Sequence, residues 1–203
     1  MARRRHDFFW KEAKRWGYRS RASFKLIQIN ERFGVIRKGY KVVDLGAAPG
    51  GWLQVAKDIA GEKGVVIGVD LLPIEPIEGV FTLKKDIRRP DVVDQILEIT
   101  GGDKVDAVLS DASPNLSGNW SWDHGRSIDL AETALGVSDK ILKEDGNFVV
   151  KVFQGDMYRA FFRTVLTRFE RVNAYTPRAS RKESAEIYLI GRGYRRASHT
   201  TVG

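Results

Sequence analysis

The 203-residue chain is 42% hydrophobic and 30% charged, ordinary for one compact globular domain. It contains no cysteine, which excludes disulfides, thiolate metal sites and cysteine nucleophiles, and no apolar run approaches the ~20 residues that span a bilayer. The net charge is +8, and residues 2–25 hold most of the excess, with nine Lys or Arg against Asp7 and Glu12.

The same stretch contains Phe8, Phe9, Trp10, Trp16, Tyr18 and Phe24. Basic side chains neutralise phosphates and aromatic rings stack on bases, so residues 1–34 read as a basic helical extension that contacts nucleic acid. The plainer alternative is a solvated amphipathic helix whose rings pack on the domain. Arg3-Arg4-Arg5 resembles the basic end of a signal peptide, but His6, Asp7, Lys11 and Glu12 interrupt any apolar segment after it. The expectation is a soluble, cytoplasmic protein.

Leu26, Ile27 and Phe33 share one face of a helix predicted over 21–33, with Gly34 as its stop. Strands and helices then alternate. Strands are predicted at 41–45, 64–70, 80–84, 105–110 and 147–153, and helices at 52–60, 90–100, 128–143 and 156–169. Two last strands, 171–176 and 185–191, have no room for a helix between them and are expected to pair antiparallel. The alternation implies an α/β fold, with a seven-stranded, mostly parallel sheet, helices on both faces and an antiparallel last strand. Residues 35–191 form the expected core, and 192–203 a frayed polar tail.

The first strand runs into a glycine-rich loop, Asp44-Leu45-Gly46-Ala47-Ala48-Pro49-Gly50-Gly51-Trp52. In open α/β sheets such loops lie where ligands bind. Gly46 and Gly51 have the spacing of a phosphate-binding loop, but Trp52 replaces its lysine. The dinucleotide glycine pattern is out of register, and Pro49 lacks an N–H donor. S-adenosylmethionine fits better, since it has no phosphate but carries an amino-acid end, a ribose and an adenine. Asp44 suits its ammonium, directly or through water, and Gly46 and Gly50 allow close approach. Trp52, which opens the helix beside them, is a further candidate cofactor contact. Asp70 ends the second strand, where it can accept the ribose hydroxyls. Asp86 follows the third strand, toward the adenine amino group, and Asp111 follows the fourth. A single strand-end aspartate is usually a cap; four in a row indicate a nucleoside cofactor.

Lys25, Asp111, Lys151 and Glu186 resemble the Lys-Asp-Lys-Glu tetrad of the FtsJ/RrmJ (RlmE) family of RNA ribose 2′-O-methyltransferases. Their contexts match in order along the chain: Ser20 to Leu26, Asp44 to Trp52, Asp70 to Pro73, Leu109 to Asn115, Val150 to Gly155 and Ser180 to Tyr188. The resemblance spans about residues 11–191. It implies a Rossmann-like methyltransferase fold and an S-adenosylmethionine cofactor; its closest branch modifies a uridine ribose in large-subunit ribosomal RNA. It further implies catalytic roles for the four residues.

The chemistry is consistent with those roles. A ribose hydroxyl is a poor nucleophile and must lose its proton during attack. Lys151, in a buried strand, is the candidate base or relay. Lys25 and Glu186 are candidates to position the ribose, and Asp111 to serve both cofactor and lysine. The plainer reading of Lys151 is a strand-end lysine reaching solvent. Arg19, Arg21, Arg178, Arg181 and Lys182 are candidate RNA contacts. The loop over 115–125, with Asn119, Trp120, Trp122 and His124, reads as a lid, a base-stacking segment or a hydrophobic anchor.

The expected partner is RNA, with no membrane and no metal, and the protein is expected to be a monomer. A transfer RNA anticodon-loop methyltransferase would carry the same tetrad. A non-catalytic ribosome-assembly factor and a small-molecule O-methyltransferase are the alternatives of other classes. The intact tetrad argues against the first and the basic amino-terminal segment against the second. Ribosomal RNA is preferred because the short chain lacks an extra targeting domain and matches the compact ribosomal branch.

Overall fold

The computed structural model describes residues 2–115, 117–181 and 184–196, with the backbone alone for 2–7. Two helices come first, α1 (Ala2–Arg15) and α2 (Ser23–Phe33). The alternating part follows as β1 (Lys41–Leu45), α3 (Gly51–Ala60), β2 (Val65–Asp70), β3 (Val80–Lys84), α4 (Asp91–Ile99) and β4 (Val105–Ser110). It continues through α5 (Trp120–Ile141), β5 (Leu142–Phe153), α6 (Tyr158–Leu166), β6 (Phe169–Tyr175) and β7 (Glu186–Tyr194).

The seven strands form one sheet in the order β3-β2-β1-β4-β5-β7-β6. The pairs from β3 to β5 are parallel. β7 pairs antiparallel with both β5 and β6, so it alone runs against the others. The short 176–185 connection forces this reversal, since a parallel return needs a crossover of a dozen or more residues. The strand order reverses between β1 and β4, the place where open sheets bind ligands.

Both faces are covered. On one, Leu26 and Ile29 of α2 and Leu53, Val55 and Ala56 of α3 pack on Val42, Val66, Leu109, Val149 and Ile190. On the other, Val92 and Ile96 of α4, Ile128 and Leu135 of α5 and Phe161 of α6 pack on Val43, Ile67, Val108, Phe148 and Leu189. Each such fully buried aliphatic or phenyl side chain contributes about 1.5–3 kcal/mol. Gly34, at φ 62°, stops α2, and its N–H is accepted by the Asn30 carbonyl at 2.8 Å.

Several boundaries differ from the sequence-based expectation. α5 starts at Trp120 rather than 128, because Asn119 caps it and the Asp123 carboxylate gathers the amides of Ser117 and Gly118. β5 begins at Leu142, ahead of the expected 147. The tail is not free at its start: β7 extends to Tyr194, Arg195 N–H is accepted by the Arg168 carbonyl, and Arg196 N–H by Glu144. Residues 197–203 of that tail lie outside the described residues. No helix among the described residues is long and apolar enough to cross a membrane.

Candidate active site

The ends of β1, β2 and β4 and the segment after β3 open into a cavity of about 550 Å³. Gly46, Ala48, Asp70, Asp86 and Asp111 line it, with Leu71, Leu72 and Asn115. Gly46 holds φ 80°, and a Cβ there would lie 2.6 Å from the Ala112 Cβ, so the glycine lets the first and fourth strand-end loops touch. Asp70 holds its own loop open: it accepts the Ala48 N–H at 2.9 Å and the Leu72 N–H at 2.8 Å. Asp86 accepts the Arg88 N–H at 3.0 Å. Lys85, Arg88 and Arg126 also line the cavity, and sequence patterning singled out none of them.

Asp44 lies behind this wall, 1% exposed, and neither carboxylate oxygen has a hydrogen-bond partner. Burial, with the charges of Asp111 and Asp70 added, pushes its carboxyl well above the usual range. A buried carboxylate without a partner is costly, and a cationic ligand group reaching it, directly or through water, would offset that cost. The chemistry of this donor set, Asp70, Asp86 and Asp111 on the lining and one orphaned buried carboxylate behind it, fits the ammonium, ribose and adenine of S-adenosylmethionine. Two expected contacts are not at the cavity. Trp52 is 3% exposed, donates its indole N–H to the Ala22 carbonyl at 2.8 Å and packs on Tyr188. Its helix turns the ring toward the α2 face, so it supports the loop from behind. Gly50 packs against Arg19, Ile74 and Ile77.

The four tetrad residues meet beside the cavity. Ser110 stands opposite Val150, which sets Asp111 level with Lys151, and Lys151 stands opposite Tyr188. Lys151 Nζ donates to the Asp111 carbonyl at 2.8 Å and pairs with Asp111 Oδ1 at 3.1 Å. Lys25, from the first turn of α2, pairs with Glu186 at 2.7 Å. Lys25, Lys151 and Glu186 are all buried. Burial would raise the Asp111 carboxyl, but the charges of Lys151 and Lys25 and hydrogen bonds from Tyr188 and Lys151 outweigh it and hold it below its ordinary value. Glu186 reaches the site because β7 is reversed, which puts its first residue at the end of the sheet where the parallel strands finish.

Tyr188 is the member that sequence reasoning left without a role. Fully buried, it donates its hydroxyl to Asp111 Oδ1 at 2.6 Å. The available signal was parity: Tyr188 follows Glu186 by two on one strand, so both side chains leave the same face. A fully buried tyrosine there needs a partner for its hydroxyl.

The expected RNA contacts separate into two kinds. The Arg19 guanidinium is committed to the chain itself, donating to the carbonyls of Pro49, Glu75 and Pro76 at 3.2, 2.6 and 2.8 Å. It clamps the glycine loop to the loop after β2, a structural role that its charge alone did not reveal. Arg21 donates to the Ala179 carbonyl at 2.6 Å and ties α2 to the loop before β7. Arg178 and Arg181 are exposed on that loop, and Lys182 lies outside the described residues. Phe8 and Trp10 on α1 and Trp16 just after it are exposed, while Phe9 packs on Phe24 of α2. The segment ahead of α5 is tied down rather than loose. Asp123 accepts from Ser117 N–H and Ser117 Oγ, each at 2.8 Å, and these bonds, the backbone one first, bring its carboxyl down to about 2.

Known proteins resemble this chain over most of its length. Residues 18–194 match the family model described as FtsJ-like methyltransferase. The chain is 58% identical over 194 residues to a Methanosarcina mazei protein named ribosomal RNA large subunit methyltransferase E, covering 96% of this chain and 72% of that one. Relatives of that name are longer than this chain, so shortness is not what marks that branch. A Plasmodium falciparum structure named as a ribosomal RNA methyltransferase superposes with TM-score 0.80 at 27% identity, over 87% of this chain and 98% of its own. Aeropyrum pernix fibrillarin, solved with natively bound S-adenosylmethionine, shares the fold at TM-score 0.59 and 14% identity, over 86% of this chain and 75% of its own. The chain therefore belongs to the FtsJ-like methyltransferase family.

Proposed function

We propose that this protein transfers the methyl group of S-adenosylmethionine to the ribose 2′-hydroxyl of a uridine in large-subunit ribosomal RNA. One observation carries the reading: Lys25, Asp111, Lys151 and Glu186 converge in two buried ion pairs at the edge of a cavity whose acids suit a nucleoside cofactor. The name shared by the curated relatives supports ribosomal over transfer RNA as the substrate.

When bound, S-adenosylmethionine supplies an electrophilic methyl group on a sulfonium. The protein must place a hydroxyl in line with it, and such positioning is worth about 7–11 kcal/mol of barrier. Asp111 joins the two halves of the site, since it lines the cavity and also holds Lys151. Lys151 has two contacts to Asp111, one to the carbonyl and one to Oδ1. Its remaining tetrahedral position serves the hydroxyl. To act as base, Lys151 first gives up the proton it carries in the ion pair; it then takes the 2′-hydroxyl proton as the oxygen–carbon bond forms and passes it to water. Lys25 and Glu186, locked to each other, hold the ribose. Asp70 and Asp86 are the candidates for the cofactor's ribose and adenine, and Asp44 for its ammonium. Arg178 and Arg181 are the candidates to meet phosphates.

The test is transfer of labelled methyl to large-subunit RNA, free and in assembled subunits, followed by mapping of 2′-O-methyl positions. Label on a uridine ribose, lost in Lys151→Ala with cofactor binding retained, is the expected result. Label on a base or only on transfer RNA overturns the reading, and absence of transfer to any RNA favours an assembly factor.

A further inference from the structure

The aromatic start of α5 lies next to the tetrad and has no part in the steps above. Phe153 follows Lys151 by two residues and is the last residue of β5. Trp120 stacks on the buried Phe153 ring, with centroids 6.1 Å and planes 25° apart. His124, one turn along α5, stacks on Trp120 as well, at 6.4 Å and 17°. His124 is itself fixed, because its Nε2 accepts the Met157 N–H at 3.1 Å. The hydrogen bonds of Asp123 to Ser117 and Gly118 anchor the whole turn. Trp120 is thus held by two buried rings and is still 52% exposed, while Trp122 beside it is 70% exposed.

An indole held flat in this way, one ring beyond the candidate base, is ready to stack. The occupant follows from what the neighbouring site takes. If Lys151 meets a ribose of a single RNA strand, the nucleotides on either side pass within reach of Trp120. Unpaired bases stack on exposed aromatic faces without needing base-specific hydrogen bonds. The strong positive balance of the chain, with Arg178 and Arg181 exposed on the loop before Glu186, suits the phosphates of the same strand.

The geometry points to Trp120 as a stacking platform for the unpaired base next to the target ribose. This inference rests on the proposed ribose methylation and adds a subsite to it. The platform selects a flipped or single-stranded conformation and is tolerant of base identity.

Two five-residue probes test it: oligouridylate, and a ribose-phosphate chain of equal length without bases. Wild type is expected to bind oligouridylate about ten-fold more tightly than the baseless chain, in the range of one stacked base. Trp120→Ala removes that preference, while Trp120→Phe, which keeps a ring, retains most of it. In methyl transfer to large-subunit RNA, Trp120→Ala raises KM by a similar factor with kcat within about two-fold, as loss of uniform binding requires. Equal affinity of wild type and Trp120→Ala for oligouridylate, with unchanged circular dichroism, overturns the platform. So does an equal loss of affinity for both probes. If wild type methylates no RNA, the functional reading fails first; normal RNA methylation by Trp120→Ala with unchanged KM defeats the platform alone.

Discussion

The Tyr188 hydroxyl donates to Asp111 Oδ1 at 2.6 Å, and that same oxygen pairs with Lys151 at 3.1 Å. Tyr188 thereby fixes the carboxylate that in turn fixes the candidate base. Burial and the negative charges of Asp111 and Glu186 push the Tyr188 hydroxyl well above its usual range, so it stays a donor.

Tyr188→Phe removes one hydrogen bond to a charged group, worth about 1.5–3 kcal/mol. The expected loss in kcat is roughly 10- to 100-fold at unchanged cofactor affinity. The pH profile gives the sign. Asp111 is held below its ordinary value partly by this bond. Without it the carboxyl protonates at higher pH, and the acid limb of activity moves upward. An acid limb that stays in place would show that Tyr188 only fills space.

Lys25 and Glu186 form a pair whose side chains are each 10% exposed. Leaving one charge alone there is strongly destabilising, by about 3–5 kcal/mol, whereas an apolar pair of similar volume is tolerated. Urea unfolding should show a large loss for Lys25→Met and substantial recovery when Glu186→Leu is added. Methyl transfer should be lost in both proteins. That split separates the pair's structural cost from its role in holding ribose.

The Asp44 carboxyl is raised in the folded chain by burial and by Asp111 and Asp70. A raised acid makes the cofactor-free fold lose stability as pH climbs from the unfolded carboxyl value, about 3.9, toward the folded one. Asp44→Asn should therefore raise the Tm of the cofactor-free protein at pH 8, at about 2–4 °C for each kcal/mol gained. The same change should weaken S-adenosylmethionine binding, measured by calorimetry. An unchanged affinity would remove Asp44 from the ammonium site.

Gly46→Ala forces a Cβ to 2.6 Å from Ala112 Cβ at φ 80°. Neither atom sits on a flexible side chain, so the two loops must separate, and backbone strain adds about 1–3 kcal/mol. Cofactor affinity should fall at least about ten-fold, since the cavity wall moves. Gly136, inside α5 with nothing within 4 Å, is the contrast. Gly136→Ala should stabilise by about 1 kcal/mol through helix propensity and leave activity alone.

The amino-acid sequence carries the sheet's alternation, its central strands and the glycine loop in readable form, because period and turn chemistry are local properties. It also marked all four tetrad positions, through their resemblance to a family. It marked the wrong boundary for α5, since the cap that starts this helix depends on Asp123 folding back on Ser117 and Gly118. It read Arg19 as an RNA contact because charge is visible in a sequence and hydrogen-bond partners are not. Its partners, the carbonyls of Pro49, Glu75 and Pro76, lie 30 to 57 residues away. The folded chain was needed to see that Trp52 supports the loop from behind, that Asp44 is buried without a partner, and that Tyr188 joins the tetrad. The physical reason is register: β4, β5 and the reversed β7 bring Asp111, Lys151 and Tyr188 level, and no local pattern encodes which strands become neighbours.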